Sequence, residues 1–183
     1  MQSFETNSLI GIPLKLEEYA SFKSGLEPTW KGFTNPYKHL VEGPSPLIHR
    51  IPKVEKTPEF AEIGLILGIL KSTNEIIGSA GFHDFPDKNG MIEIGFGIVP
   101  QMQNKGYGFE LLIGMWKMIS KRNDVKILRY TVSPENKPSM HIINKLGFTK
   151  IGEQIDPEDG LELIYEKSVS EFIKEFNNTF FVN

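Results

Sequence analysis

The feature that most constrains the fold is a glycine-containing segment, QMQNKGYGFE (101–110), that lies between two different periodic patterns. Before it, MIEIGFGIV (91–99) alternates in character, which predicts a strand. After it, apolar residues recur at intervals of three and four to about residue 121, which predicts a helix. A strand that leads directly into a helix presents unpaired backbone N–H groups and the positive end of the helix dipole. The junction therefore predicts an anion-binding site.

Three phosphate-binding patterns compete for this junction. The Walker pattern G-x-x-x-x-G-K-[ST] does not occur in the chain. The dinucleotide pattern G-x-G-x-x-G fits Gly106 and Gly108 but fails at Leu111. The pattern Q/R-x-x-G-x-G/A between a strand and a helix is met in full by Gln103, Gly106 and Gly108. On the hexapeptide alone, a glycine-rich turn without function stays open as the alternative.

Composition limits the class of protein. The 183 residues are 39% hydrophobic and 23% charged, as in a globular domain that buries a core. A net charge of -3 argues against a general nucleic-acid binder. There is no cysteine and the four histidines are scattered, so we expect no metal site. No signal peptide is recognised and the longest apolar run (64–70) is too short for a bilayer, so we expect a cytoplasmic protein without membrane contact.

The remaining pattern predicts a mixed α/β (α+β) fold around a largely antiparallel sheet. Segment 28–60 holds six of the twelve prolines and several aromatic residues, and we interpret it as irregular, with a short helix near 36–42. Its aromatic content favours a segment that packs or lines a pocket over a flexible linker. The other predicted elements are a helix at 14–27, a hairpin around KSTNE (71–75), a strand at 126–132, a helix at 134–146, and two final strands within 148–168.

The strand at 91–99 has two different faces. One face carries Ile92, Ile94, Phe96 and Ile98, and the other carries Glu93, Gly95 and Gly97. A face with a carboxylate and two glycines is poor for core packing. We expect a ligand to approach this second face closely.

Two segments, EIGFGIVPQMQNKGYGFELL and SPENKPSMHIINKLGFTKIGE, together resemble the GNAT superfamily of acetyl-CoA-dependent N-acetyltransferases. The second is similar to the family's N-x-x-S…K-L-G-F segment, with Asn136, Ser139, Leu146, Gly147 and Phe148 at the family's spacing. The N-x-x-S spacing is closest to the RimJ/RimL-like branch, the ribosomal-protein N-terminal acetyltransferases. The resemblance covers roughly residues 60–168, and the first 60 residues match that branch poorly.

The resemblance implies a single domain over 1–183 with a mostly antiparallel central sheet flanked by helices. The fourth and fifth strands of the family's sheet are expected to splay apart. It further implies a divergent acceptor-side segment (1–60), an acetyl-CoA-binding core (61–168) and a C-terminal tail helix (169–183). We expect this tail to dock on the core or on a partner, so a homodimer is a further expectation.

Acetyl-CoA is the implied co-substrate, without a metal. The resemblance places its pyrophosphate on the turn 103–108, where Lys105 adds charge and Gln103 a side-chain donor, and its pantetheine arm along the strand end. The N–H of Ile98 or Val99 is the expected donor to the thioester oxygen. The full implied cofactor set is Ile98, Val99, Gln103, Asn104, Lys105, Gly106, Tyr107, Gly108, Asn136 and Ser139.

For catalysis, Glu93 is the candidate general base, because an amine must lose a proton before it attacks a thioester. Pairing of Glu93 with a surface lysine is the alternative. Many family members use a tyrosine as general acid at the position that Ile143 occupies here. Ser139 is therefore expected to contact the sulfur or hold a water, although Ser139 and Asn136 could equally be helix caps.

The acceptor site is less defined. His83, Trp30, Phe33 and Tyr37 are the candidates for its wall, with a structural role as the alternative for each. The function implied is transfer of acetyl to a primary amine, either a protein N-terminus or a small molecule, by direct attack in a ternary complex. A non-catalytic CoA-binding or regulatory domain is the alternative, and the missing tyrosine is its main support.

Overall fold

The computed structural model describes residues 3–43, 45–157 and 160–176, which contain eight strands and six α-helices. The strands are β1 (Phe4–Glu5), β2 (Leu9–Pro13), β3 (Ile66–Leu70), β4 (Glu75–Phe82), β5 (Met91–Ile98), β6 (Ile127–Val132), β7 (Thr149–Asp156) and β8 (Gly160–Ser168). The helices are α1 (Leu16–Lys23), α2 (Leu47–Lys56), α3 (Ala61–Gly64), α4 (Tyr107–Ile119), α5 (Lys137–Lys145) and α6 (Val169–Phe176).

All eight strands form one sheet in the order β1-β2-β3-β4-β5-β6-β8-β7. Every neighbouring pair is antiparallel except β5 and β6, which are parallel. This confirms the predicted mixed, mostly antiparallel sheet flanked by helices. The predicted hairpin around 71–75 is also confirmed, as β3 and β4.

The parallel pair β5 and β6 separates along its length. Their register joins Met91 to Ile127, Ile92 to Leu128 and Glu93 to Arg129. Beyond Glu93, β5 continues to Ile98 along β4 instead. Strand β6 pairs with β8 along its full length, but with β5 only as far as Arg129. A gap therefore opens between β5 and β6 in the middle of the sheet, as expected for the splayed strands.

The N-terminal third differs most from the sequence-based prediction. Strands β1 and β2 were not predicted, and α1 is shorter than the predicted 14–27 helix. The short helix near 36–42 is wrong: this stretch forms turns, with positive φ at Lys38 (53°) and Leu40 (66°) that a right-handed helix does not allow. The helix in this segment is α2, which begins at Leu47. Burial of Leu47, Arg50 and Val54 outweighs the helix hydrogen bond lost at Pro52.

The core lies on both faces of the sheet, and α4 is its most buried helix. Trp116 of α4 stacks on Phe148, with ring centres 4.7 Å apart, and contacts Phe172 of α6 at 6.0 Å. Phe172 is fully buried, and Lys167 Nζ donates to Glu175 Oε2 at 2.6 Å. The described part of the tail helix is thus docked on the core, and residues 177–183 lie outside the described residues.

Across the part of the chain that the structure describes, no helix has both the length and the apolar character needed to cross a bilayer.

Candidate functional site

Helix α4 begins at Gly106, which takes a left-handed conformation (φ 85°) that glycine adopts without strain. The first bond of the helix runs from Glu110 N–H to Gly106 C=O (3.1 Å). The four N–H groups of residues 106–109 therefore have no acceptor within the helix. They concentrate positive potential at the entrance of α4.

The turn before α4 is tied back to the sheet. Gln103 Nε2 donates to the Ile98 carbonyl at 2.9 Å, and Asn104 has a positive φ of 59°. The side chain of Gln103 thus anchors the turn to the end of β5, rather than acting as the free donor expected from the sequence.

A cleft of about 590 Å³ opens at this junction, between β5, the start of α4 and one face of α5. It brings together both sequence motifs. The predicted cofactor residues that line it are Ile98, Gln103, Asn104, Gly106, Tyr107, Gly108, Asn136 and Ser139. Of the other two, Val99 is buried in the core and Lys105 is exposed, with its Nζ 3.5 Å from Met102 Sδ.

Sequence reasoning identified Asn136 and Ser139 at the start of α5 but missed the other residues of this helix that line the cleft. The face of α5 that lines it carries Pro138, His141, Ile142 and Lys145, which repeat at intervals of three and four. Lys145 Nζ lies 4.3 Å from the ring centre of Phe109, in the first turn of α4. Lys145 therefore supplies a cation beside the N–H groups at the start of α4, and its spacing of four residues from His141 and three from Ile142 was the signal that could have identified it.

Gly108 explains how closely these elements pack. A Cβ atom at this position would lie 2.9 Å from a ring carbon of Phe96 and 3.3 Å from Ile142 Cδ1. The second glycine of the motif thus lets α4 sit directly against β5 and α5, whereas the first provides the left-handed turn.

The peptide groups of β5 alternate between two directions. Val99 N–H donates to Ile77 C=O and His83 N–H donates to Glu93 C=O, both at 2.9 Å. Odd-numbered residues of β5 therefore direct their peptide groups to β4. The N–H groups of Phe96 and Ile98 point the other way, into the gap that β6 leaves.

Glu93 lies on the opposite face of β5 from the cleft residues Phe96 and Ile98. Its Oε1 accepts a hydrogen bond from Thr131 Oγ1 (2.6 Å) and lies 3.5 Å from His83 Nδ1. The contacts of Glu93 are therefore a hydroxyl and an imidazole, not the surface lysine of the alternative interpretation. With 20% of its side chain exposed, Glu93 is half-buried but still reachable.

The glycines beside Glu93 shape this face. A Cβ on Gly95 would lie 2.9 Å from His83 Nε2, so the imidazole covers Gly95. The corresponding position on Gly97 has no atom within 4 Å. The face thus carries a carboxylate, an imidazole and open space in succession along one strand.

Charged groups surround His83. Burial, followed by the Arg50 guanidinium, lowers the pKa of His83, so its imidazole is neutral at neutral pH. Arg50 is itself buried and donates from Nε to the Gly64 carbonyl at 3.2 Å. Lys53 Nζ donates to the His83 carbonyl (2.6 Å) and to Asp84 (2.7 Å), which fixes the end of β4.

The start of α5 holds Ser139 against the cleft. Asn136 Oδ1 accepts the Ser139 N–H at 3.2 Å, so Asn136 is the helix cap and Ser139 is not. Ser139 and Ile143 are four residues apart, and Ile143 is fully buried. Burial raises the pKa of Tyr130 to about 12, so the hydroxyl that interacts with Ser139 stays protonated.

The aromatic candidates lie apart from Glu93. Trp30 packs between Phe22 of α1 and Phe33, with ring centres 6.2 and 5.6 Å apart, and its Nε1 donates to Glu27. Tyr37 hydroxyl donates to Glu75 (3.3 Å), at the opposite end of β4 from His83. Their role as an acceptor wall stays a prediction, and the structure does not bring the three aromatic residues to His83.

No cluster of three or more histidine, aspartate or glutamate side chains arranged to hold a metal occurs in residues 3–43, 45–157 and 160–176.

Comparison with known proteins agrees with this geometry. The sequence profile described as the acetyltransferase (GNAT) domain matches residues 30–149. The uncharacterized N-acetyltransferase p20 of Bacillus licheniformis is 30% identical over 105 residues, which are 57% of this chain and 54% of the relative. The chain thus spans about half the length of this relative. Because the profile covers most of the chain, the protein belongs to the GNAT acetyltransferase family.

Solved structures show the same fold. A GNAT-family acetyltransferase from Bacillus anthracis has a TM-score of 0.63 and 21% identity, over 92% of this chain and 99% of that chain. RimL, a ribosomal L7/L12 alpha-N-protein acetyltransferase in complex with coenzyme A, has a TM-score of 0.65 and 14% identity, over 91% and 98%. At these identities the likeness establishes the fold alone.

Proposed function

We propose that this protein is an acetyl-CoA-dependent N-acetyltransferase that transfers an acetyl group to a primary amine by direct attack in a ternary complex. The observation that carries the proposal is the cleft, which joins the start of α4 to the gap between β5 and β6. The cleft is lined by Phe96, Gly97 and Ile98 at the end of β5, and the candidate base Glu93 lies earlier on the same strand.

The residues present fit a nucleotide thioester. The N–H groups of residues 106–109 and the Lys145 ammonium suit the phosphates, because both present positive charge. The outward N–H groups of Phe96 and Ile98 suit a pantetheine arm that pairs like an added strand. When bound, acetyl-CoA supplies an activated acetyl thioester.

Ile98 is the proposed donor to the thioester oxygen. Its N–H faces the gap, whereas the Val99 N–H is already bonded to Ile77. A fixed donor aimed at developing negative charge lowers the barrier by roughly 3 kcal/mol. Because the donor belongs to the backbone, side-chain substitution at Ile98 leaves it in place.

Glu93 is the proposed general base, acting directly or through water. Thr131 fixes one carboxylate oxygen, and the neutral His83 lies beside it. A positioned carboxylate that removes the amine proton contributes about 10²–10⁴-fold to the rate. Ser139, on the cleft wall next to the protonated Tyr130 hydroxyl, is the proposed donor to the departing thiolate.

For the acceptor we propose only the reacting group, a primary amine, and not a particular molecule. Family membership and the relative's name, an N-acetyltransferase, support a primary amine on a protein N-terminus or a small molecule. A cytoplasmic location and a homodimer remain part of the proposal.

The decisive experiment measures free thiol released from acetyl-CoA with a panel of primary amines and peptides. The wild type should turn over. Glu93→Gln should lower kcat about 10²–10⁴-fold while leaving CoA affinity, measured by titration calorimetry, unchanged. Glu153→Gln, on the exposed strand β7, is the matched control and should retain wild-type activity. CoA binding without turnover on any amine would favour a non-catalytic domain, and absence of CoA binding would reject the site itself.

A further inference from the structure

A hydrogen-bonded pair, His39 and Ser79, lies on the same side of the sheet as Glu93. His39 Nε2 is 2.9 Å from Ser79 Oγ. Ser79, in β4, is only 4% exposed and pairs directly with Gly97 of β5. Residues directly opposite on neighbouring antiparallel strands point to the same face, with Cβ positions about 4.5–5.5 Å apart.

Open space lies next to this pair. Because Gly97 has no side chain and nothing within 4 Å of its Cβ position, a ligand atom above Gly97 has room within hydrogen-bonding reach of Ser79 Oγ. The peptide that follows Gly97 carries the Ile98 N–H, which faces the gap on the cleft side. An amine above Gly97 is therefore close to the proposed thioester position and beside Ser79.

Two hydrogen bonds from the Asn35 side chain fix the backbone of His39. Asn35, only 7% exposed, accepts the His39 N–H (2.9 Å) through Oδ1 and donates to the His39 carbonyl (3.0 Å) through Nδ2. The same amide nitrogen donates to Glu27 at 3.0 Å. Both ends of the His39 peptide unit are thus fixed by one buried side chain.

The backbone around His39 is strained on both sides. Lys38 and Leu40 have φ of 53° and 66°, a region that non-glycine residues seldom occupy. Each such residue costs on the order of 1–3 kcal/mol and persists only where the surroundings impose it. Burial also keeps the imidazole neutral, since it lowers the pKa of His39 to about 4. A neutral ring can accept a hydrogen bond from a hydroxyl, whereas an imidazolium cannot.

We infer that Ser79 Oγ binds one N–H of the acceptor amine, and that His39 is the positioning residue that orients Ser79. The inference rests on the proposed function. The Ser79 hydroxyl donates to His39 Nε2, so its lone pairs are free to accept from the amine. No proton changes owner in this contact.

The consequence is selectivity for primary amines. A neutral primary amine attacks with its lone pair and has two N–H groups. One donates to Ser79, and the other loses its proton to Glu93 through water, because Glu93 lies roughly 13 Å from Gly97 along β5. A secondary amine carries a carbon where the second N–H would be, so Ser79 loses its partner and meets an alkyl group instead.

The test compares each primary amine with its N-methyl derivative: L-alaninamide, benzylamine and a peptide with a free N-terminus. In Ser79→Ala, kcat/KM for primary amines should fall about tenfold, the loss of one buried hydrogen bond. The secondary amines should change less than about twofold, so the preference shrinks about tenfold. Affinity for CoA should stay unchanged, because Ser79 is not among the residues that line the cleft.

Three further variants separate positioning from general damage. His39→Leu should shrink the preference as Ser79→Ala does, and the double variant should be no worse than either, because the two residues act as one unit. His39→Gln, whose Oε1 can accept from Ser79, should restore most of the preference. Ser24→Ala removes an exposed hydroxyl at the end of α1 and is the control. If His39→Leu does not fold, Ser79→Ala, which removes a single oxygen atom, still decides the matter.

The outcomes distinguish the two proposals. An active wild type together with a Ser79→Ala variant of unchanged preference overturns this inference alone. A wild type that releases no thiol with any primary amine overturns the proposed function, and this inference with it.

Discussion

At the scale of single residues, the glycines of β5 and of the start of α4 occupy their positions for different physical reasons. Gly108 is required by packing, because a Cβ there would press into Phe96. Gly106 is required by its backbone, at φ 85°. Gly97 is required by neither, since its φ is not positive and its Cβ position is empty. We propose that its presence in the middle of a sheet leaves space for a ligand.

The Gly97→Ala variant tests this explanation. We expect the free energy of unfolding to change by less than about 0.5 kcal/mol, as for a substitution into open space. We expect kcat/KM to fall by about 10²-fold, because a methyl group displaces the reacting groups. Urea unfolding and thiol release measure the two quantities.

Gly152→Ala on the exposed strand β7 is the matched control, because its Cβ position is also empty and its φ is not positive. It should leave both stability and activity unchanged. Equal activity of Gly97→Ala and the wild type would contradict a ligand at this face.

At the scale of elements, the proposed anion site depends on two helices that meet. The start of α4 provides N–H groups, and the cleft-facing side of α5 provides Lys145. The position of α4 is fixed from behind by Glu110, which is buried and accepts from Thr6 Oγ1 (2.5 Å) and Ser8 N–H (2.6 Å). The turn between the two unpredicted N-terminal strands thus holds the start of α4 in place.

Lys145→Gln tests the role of α5. Loss of a charge-assisted contact to phosphate should weaken CoA binding about tenfold at low salt. The variant should also lose less affinity than the wild type as salt is raised, since a screened ion pair is missing. Titration calorimetry at two salt concentrations measures both effects.

Lys137→Gln, at the first residue of the same helix, is the control, because Lys137 Nζ donates to the nearby Pro134 carbonyl (2.8 Å). If both lysine variants bind CoA like the wild type, α5 does not contribute charge to the site.

At the scale of the whole molecule, half-buried histidines link stability to pH. His39 has a pKa of about 4 in the folded protein, against an ordinary value near 6.5. The unfolded chain therefore binds a proton at mildly acidic pH that the folded protein does not bind. Stability is fully present above pH 6.5 and is lost as the pH falls towards 4. His83, whose pKa is also lowered by burial, acts in the same direction.

We expect His39→Gln to flatten this dependence. The wild type should lose up to about 3 kcal/mol through His39 between pH 6.5 and 4, and the variant should lack that loss. The salt-bridged carboxylate of Asp84, whose pKa is lowered chiefly by Lys53, acts only below its ordinary value near 4, so the two windows separate. Urea unfolding at pH 7, 6 and 5 gives the slopes.

His141→Gln, at an exposed position on α5, is the control and should follow the wild type. A His39→Gln variant whose stability falls as steeply as that of the wild type would show that His39 is not buried neutral.

Local pattern was sufficient for much of the fold. The alternation of β5, the apolar repeat of α4 and the glycine motif between them each depend on residues near in sequence, and the structure confirms all three elements. Asn136 and Ser139, two of the residues that line the cleft, were also predicted from the sequence, because a second motif of fixed spacing indicated where α5 begins.

Local pattern could not predict contacts between residues that are far apart in the sequence. Strand β1 has two residues and exists only because β2 pairs with it, so no periodicity could indicate it. Thr131 lies 38 residues from Glu93, and Ser79 lies 40 residues from His39. Periodicity places a side chain on a face of its own element, but sheet order and helix docking choose its neighbour. Local sequence pattern thus determined the glycine turn before α4, whereas long-range packing determined which side chains lie beside Glu93 and His39.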